Sequence, residues 1–268
     1  MSMLDRYNRK INYLRISVTD RCNLRCTYCM PADGVSLLSH NEVLSFEEII
    51  VVVKEAVRLG IDKIRITGGE PLVRKGISSL VKMIAEVQGV RDLAMTTNGI
   101  LLEKFAEDLA DAGLQRVNVS LDTMSPQRFY EITRGGNISD VLKGIEAAKK
   151  AGLSPVKINC VVNNTPDEED ARAVAEYCHK NGLDIRYIHM MDLNAGKFSV
   201  VEGGDGGNCK TCNRLRLTAN GKIMPCLFSD KEIDVRSLGA ENAIKKAIEQ
   251  KPECGSVNND HHFYNIGG

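Results

Sequence analysis

Short runs rich in β-branched and aromatic residues recur along the first two-thirds of the chain: INYLRISV (11–18), DKIRIT (62–67), LAMTT (93–97), QRVNVSL (115–121), VKINCVV (156–162) and DIRYIHM (184–190). Segments of helical periodicity separate them. The segment 45–60 opens with Ser45 and Glu48 in capping-box spacing and stops at Gly60. Another opens at Thr165-Pro166-Asp167-Glu168, which supplies a cap, a proline for the first turn and acids for the positive end of the helix dipole. Strands alternating with helices make βαβ units and a parallel sheet. Six such units fall short of the eight in a closed barrel, so the expected fold is α/β, an open partial (β/α)6 barrel. After Met191 the alternation stops. Residues 194–208 are glycine-rich and aperiodic and read as a linker or mobile loop. A hairpin over 214–227 turns at Asn220-Gly221, followed by a helix near 239–249 and a polar tail. The expected division is a partial barrel over 1–193 and a small C-terminal subdomain over 194–268.

With 268 residues, 43% of them apolar, the chain can bury a full-sized core. Its formal net charge is zero, so no global basic field draws nucleic acid or a membrane surface to it. The longest apolar run, IIVVV (49–53), is far short of a membrane span. The N-terminus MSMLDRYNRK has no apolar signal core and reads as cytoplasmic. Nine cysteines in such a chain favour metal or redox chemistry over disulfides. Six are grouped: Cys22, Cys26 and Cys29 as C-x3-C-x2-C, and Cys209, Cys212 and Cys226 as C-x2-C-x13-C. Cys160 and Cys178 read as buried small hydrophobes, and Cys254 stands apart in the sequence.

In parallel α/β folds the working site lies at the carboxyl ends of the strands. Cys22–Cys29 follow the first strand, Gly68-Gly69-Glu70-Pro71 the second, Thr97-Asn98-Gly99 the third and Ser120-Leu121-Asp122 the fourth. A four-iron cube offers four corners, and three thiolates leave one iron open to another ligand. A structural zinc site wants four ligands, and no histidine lies near Cys22–Cys29. A zinc site completed from elsewhere, or redox-active thiols, are the alternatives. Glycines at a strand end allow close backbone approach to a ligand, and the Glu70 carboxylate can accept from an ammonium group. Between the later cysteines, Arg214 and Arg216 alternate on a strand and face one side; two planar guanidiniums beside an open iron suit an anionic or heteroaromatic ligand. Arg15 and Arg65 fall mid-strand, where a cation is costly to bury without an anion.

The spacing C-x3-C-x2-C, with Tyr28 before the last cysteine, resembles the signature of the radical S-adenosylmethionine superfamily. LRISVTDRCNLRCTYCMP, KIRITGGEPLVRKG, TTNGILL, RVNVSLDT, VKINCVV, CKTCNRLRLTANGKIMPCLF and the terminal YNIGG are together similar to the GTP 3',8-cyclases of molybdenum cofactor biosynthesis. The resemblance runs from about residue 5 to Met191 and from Cys209 to the end. It implies two [4Fe–4S] clusters and S-adenosylmethionine, whose cleavage gives a 5'-deoxyadenosyl radical that abstracts the ribose 3' hydrogen of GTP before the carbon radical attacks C8. It also implies that the second cluster's open iron binds the guanine. Carried over, the cluster ligands are the six grouped cysteines; the S-adenosylmethionine residues are Tyr28, Gly68, Gly69, Glu70, Ser120 and Met191; the GTP residues are Arg15, Arg65, Thr97, Lys157, Arg214, Leu215 and Arg216. Gly267 and Gly268 are expected to reach the substrate as a tail, joining Arg15, Arg214 and Arg216 in catalysis. A reductant such as flavodoxin or ferredoxin, a downstream cyclic pyranopterin monophosphate synthase and a homodimeric state are further expectations.

Two departures stand out. Several dozen residues usual between the sixth strand and the second cysteine pair are replaced by the short stretch 194–208, and His189 stands where the family carries Glu. His189 reads as a sheet-end histidine rather than a ligand. Both changes leave open a relative acting on another nucleotide or on a peptide. Peptide-modifying radical enzymes usually carry more C-terminal cysteines and a separate peptide-binding domain, for which this chain has no evident room. A plain electron carrier would fully ligate its clusters.

Overall fold

The structure is a computed structural model that describes residues 3–260 and 266. Six strands run parallel: β1 (Tyr13–Ser17), β2 (Lys63–Thr67), β3 (Asp92–Thr97), β4 (Arg116–Ser120), β5 (Lys157–Val162) and β6 (Asp184–His189). The helices α1 (Phe46–Arg58), α2 (Ile77–Ala85), α3 (Leu102–Asp111), α4 (Pro126–Thr133), α5 (Ile138–Lys150) and α6 (Glu169–Asn181) connect and cover them. The capping box on α1 forms as its spacing predicts: the Ser45 hydroxyl accepts from the Glu48 N–H, and the Glu48 carboxylate accepts from the Ser45 N–H.

The C-terminal hairpin does not stand apart from this barrel. Its first strand, β7 (Arg214–Leu217), pairs in parallel with β1, and β8 (Lys222–Met224) and β9 (Ile233–Asp234) follow antiparallel. One nine-stranded sheet results, in the order β6-β5-β4-β3-β2-β1-β7-β8-β9. The turn between β7 and β8 holds Gly221 at φ +83°, in the left-handed region that glycine tolerates. A short helix, α7 (Val235–Leu238), packs on β9, and α8 (Ala240–Glu249) follows against α1 and β8.

Alternation along the strands sorts the two faces of the sheet. Leu14, Ile16, Ile64, Ile66, Leu93, Met95, Val117, Val119, Leu215 and Leu217 are buried on the outer face with the helices. Cys160 and Cys178 are in the same core. Tyr13, Arg15, Lys63, Arg65, Arg214 and Arg216 therefore fall on the inner face, where they line a cavity of about 480 Å³.

Two local expectations are corrected. The helix expected at Thr165 begins at Glu169, because the Glu168 carboxylate turns back to accept from the backbone N–H groups of Asn163, Asn164 and Thr165 and holds them in a turn. The stretch 194–208 is a built wall rather than a linker. Tyr187 and Glu202 exchange backbone hydrogen bonds of 3.0 and 3.1 Å, so the stretch pairs with β6. Gly203 lies where a Cβ would come within 2.6 Å of the Ile185 carbonyl oxygen, and a Cβ on Gly207 would collide with the Ser199 carbonyl.

Candidate active site

At the carboxyl end of β1 the chain enters the first cysteine loop. The Gly69 N–H donates to the Thr19 carbonyl at 2.7 Å and the Glu70 N–H to the Arg21 carbonyl at 2.8 Å, joining the loop after β2 to the approach to Cys22. A Cβ on Gly68 would lie 2.8 Å from the Thr19 oxygen, and one on Gly69 would collide with the Arg21 carbonyl. The close approach that these glycines permit is thus to the cysteine loop itself. Beyond it, Arg134 donates to the carbonyls of Arg25 and Met30, and the Thr27 N–H donates to the Ile132 carbonyl, fastening the far side of the loop to α4.

Glu70 is 1% exposed, and its carboxylate accepts from the Thr97 hydroxyl (2.7 Å), the Asn98 N–H (2.7 Å) and the Leu72 N–H (3.0 Å). Burial pushes its carboxyl up to about 7, with those three bonds working the other way. Both oxygens serve the loops after β2 and β3, and the Thr97 hydroxyl also accepts from the Gly99 N–H. Asn98 in turn points its amide at the Cys22 sulfur (3.9 Å). The Tyr28 hydroxyl donates to Asp122 Oδ2 at 2.7 Å, and Oδ1 accepts from the Val161 N–H. Cys22, Cys26, Cys29, Tyr28, Gly68, Gly69, Glu70, Ser120 and Met191 all line the cavity. Burial, with the neighbouring thiols adding to it, pushes Cys26 up to about 12 and Cys29 to about 11.

Deeper in the barrel the charge changes sign. Arg15 lies directly opposite Arg65 on β2 and Arg216 on β7, so three guanidiniums form one row across adjacent strands. One pleat earlier, Tyr13 is flanked by Lys63 and Arg214. The guanidiniums of Arg65 and Arg214 sit 5.8 and 5.5 Å from the centre of the Tyr13 ring. Arg186 of β6 and Arg116 of β4 also line the cavity; Arg116 is ion-paired with Asp92 at 2.6 Å, whereas the Nε atoms of Arg186, Arg65 and Arg214 are buried without a hydrogen-bond partner among the described residues. Burial depresses Arg15 to about 9 and Arg216 to about 10, with neighbouring guanidiniums adding to it. Guanidiniums keep their protons in proteins, so the depression reflects first the cost of burying these cations and second their mutual repulsion, both of which a polyanion would relieve.

The second trio sits at the other end of the strands. Cys212 lies two residues before β7 and Cys226 two residues after the antiparallel β8, so both meet the rim from which β1 starts. Five residues of strand, about 16 Å, separate the two rims. Cys209, Cys212 and Cys226 line the same cavity, with Lys251 and Gly255. Lys251 is 1% exposed and its Nζ donates to the Arg214 and Pro225 carbonyls at 2.7 and 2.6 Å. Burial raises the Cys212 thiol, but Lys251 and Arg214 outweigh it, and the thiol lies below its ordinary value. Among the described residues no three Cys, His, Asp or Glu side chains converge as one metal ion requires. A four-iron cube instead takes one thiolate at each corner, and the donor set of three thiols at each rim suits such a cluster.

Two expected substrate residues lie elsewhere. Lys157 is ion-paired with Asp184 at 2.8 Å and does not line the cavity. Leu215 is fully buried on the outer face. His189 ends β6, faces the cavity and pairs with Glu202 at 2.9 Å. Gly267 and Gly268 lie outside the described residues. Ile266, just before them, is 1% exposed and packs with Leu193, Met224 and Phe228, next to Met191, Phe198 and Cys226 of the cavity wall. Sequence reasoning missed Tyr13, Arg186 and Lys251. The first two follow from the alternation that singles out Arg15 and Arg65; Lys251 leaves no signal until α8 docks.

The Radical SAM superfamily pattern matches residues 16–184, and the Molybdenum Cofactor Synthesis C pattern matches 161–256. The GTP 3',8-cyclase of Thermodesulfovibrio yellowstonii is 45% identical over an alignment covering 92% of this chain and 91% of that protein. The chain belongs to the GTP 3',8-cyclase family of radical SAM enzymes. A second relative, the GTP 3',8-cyclase of Alkaliphilus oremlandii, is 40% identical over 97% of this chain and 96% of its own. The first alignment spans 294 positions, more than the 268 residues of this chain, so the relative carries residues that this one lacks. Streptococcus suis SuiB bound to S-adenosylmethionine superposes with a TM-score of 0.69 at 16% identity, covering 92% of this chain and 66% of that one. At that identity the likeness shows the shared fold. No helix among the described residues is long and apolar enough to cross a membrane.

Proposed function

We propose that the chain converts GTP to its 3',8-cyclised product, the precursor of cyclic pyranopterin monophosphate, using two [4Fe–4S] clusters and S-adenosylmethionine. The observation that supports this most is the order of groups along one cavity: a thiol trio at each rim and a row of guanidiniums between. Cys22, Cys26 and Cys29 would hold the first cluster, which together with S-adenosylmethionine would supply the 5'-deoxyadenosyl radical. Glu70 holds the loops after β2 and β3 in place beside Cys22, and Tyr28, Ser120 and Met191 border the space for S-adenosylmethionine.

Arg15, Arg65, Arg186, Arg214 and Arg216 bind the triphosphate, whose charge offsets theirs. That grip orients the guanine toward Cys209, Cys212 and Cys226, which would hold the second cluster, and turns the ribose toward the first rim. Phe198, Leu227 and Phe228 give the cavity an apolar wall. The Gly267-Gly268 tail would reach the substrate, and the enzyme would work in the cytoplasm with an electron donor such as flavodoxin or ferredoxin and pass its product to a cyclic pyranopterin monophosphate synthase. Anaerobically reconstituted protein incubated with S-adenosylmethionine, dithionite and each of the four nucleoside triphosphates tests it by mass spectrometry. A cyclised product from GTP alone is expected; a product from another nucleotide, or none, overturns it.

A further inference from the structure

Cys254 stands apart in the sequence but not in space. Its sulfur lies 3.1 Å from that of Cys209, at the rim where the second trio gathers. A built scaffold holds it there. Buried Arg9, ion-paired with Asp5 at 2.6 Å, donates at once to the carbonyls of Cys209 (2.7 Å), Glu253 (2.8 Å) and Pro252 (2.6 Å), tying the two cysteine segments to one guanidinium. Lys251 anchors the same segment from the other side through the Arg214 and Pro225 carbonyls. At Gly255 a Cβ would lie 3.2 Å from the Cys226 sulfur, so the backbone passes against a second thiol of the trio.

Four thiols thus gather where a three-thiolate cluster needs three. Position decides what the fourth can do. Cys209, Cys212 and Cys226 line the cavity, whereas Cys254 is exposed and is not part of its lining. It is therefore badly placed to cap an iron that faces the substrate. At 3.1 Å from the Cys209 sulfur, it would be within reach of an iron that Cys209 holds. We propose that Cys254 is an exchangeable second thiolate for that corner, able to replace Cys209 as cluster ligand while the iron facing the cavity stays open. The exchange is redox-neutral: the Cys254 thiol loses a proton as its sulfur bonds to iron, and the Cys209 sulfur takes one up as its bond to iron breaks.

The inference rests on a four-iron cluster at the second trio, and iron counting separates the two claims. The reconstituted wild type should hold about eight irons; about four would remove the second cluster itself. Given eight, Cys209→Ala should retain about eight, whereas Cys212→Ala and the double variant Cys209→Ala/Cys254→Ala should each fall to about four. Undiminished S-adenosylmethionine binding shows that each variant is folded and keeps its first cluster. Cys254→Ala alone should keep all its iron, and the electron paramagnetic resonance of the reduced second cluster should differ between Cys209→Ala and wild type through the changed ligand. If Cys209→Ala falls to about four irons, Cys254 is not a ligand. A Cys209–Cys254 disulfide persisting in the fully loaded wild type, detected by thiol counting, would equally overturn the proposal.

Discussion

Glu70 shows what a single buried carboxylate does at this site. Its folded value near 7 lies above the ordinary 4.5. A carboxyl raised in this direction gives stability that is present below pH 4.5 and lost as the pH rises through 7. Glu70→Gln should therefore flatten the pH dependence of unfolding of the cluster-free protein across that window, by up to roughly 3 kcal/mol. Denaturant titrations of both proteins at pH 4.5 and 8 measure this, and equal pH slopes would contradict it. The variant also loses the acceptor for the Asn98 N–H, so the loop beside Cys22 should loosen. Arg216 is different in kind, because its use lies in shape as well as charge. Lysine keeps the cation and loses the planar fork, and nucleotide affinity should fall by ~1.5–3 kcal/mol in Arg216→Lys. Calorimetric titration with GTP would show it, and unchanged affinity would remove Arg216 from the substrate site.

Among the elements, the joint between the loop after β2 and the first cysteine loop is the most exacting. Gly69→Ala places a methyl against the Arg21 carbonyl and must push the approach to Cys22 aside. About half the iron should be lost, all of it from the first site, with S-adenosylmethionine binding falling alongside. Full iron content in the variant would mean that the loop has slack. Strand order β1 to β6, the capping box of α1 and the hairpin turn at Gly221 were all legible, because each is a local signal of periodicity or turn chemistry. The pairing of β7 with β1 was not, since alternation along a strand says which residues share a face and nothing about the partner strand. For the same reason Arg15 and Arg65 could be seen as costly cations but not as neighbours in one row. The glycines of 194–208 suggested looseness, whereas Gly203 and Gly207 are there to let backbones pack closely. Glu168 reached back to hold a turn that composition alone read as the start of α6.

Across the whole molecule, a chain of zero net charge concentrates six guanidiniums in one cavity, where Arg116 is ion-paired with Asp92. The two thiol trios, nearly two hundred residues apart in sequence, open on opposite ends of one cavity because β7 pairs beside β1. Ile266 packs on Met224 at the end of β8. Removing Gly267 and Gly268 should leave iron content and S-adenosylmethionine binding unchanged yet stop formation of cyclised product. Full turnover in the truncated enzyme would make the tail inert. The most direct measurement follows the hydrogen atom. With GTP deuterated at the ribose 3' position, one turnover under anaerobic, reducing conditions should place the deuterium in 5'-deoxyadenosine and yield one equivalent of cyclised nucleotide. Unlabelled 5'-deoxyadenosine with intact GTP would contradict the account.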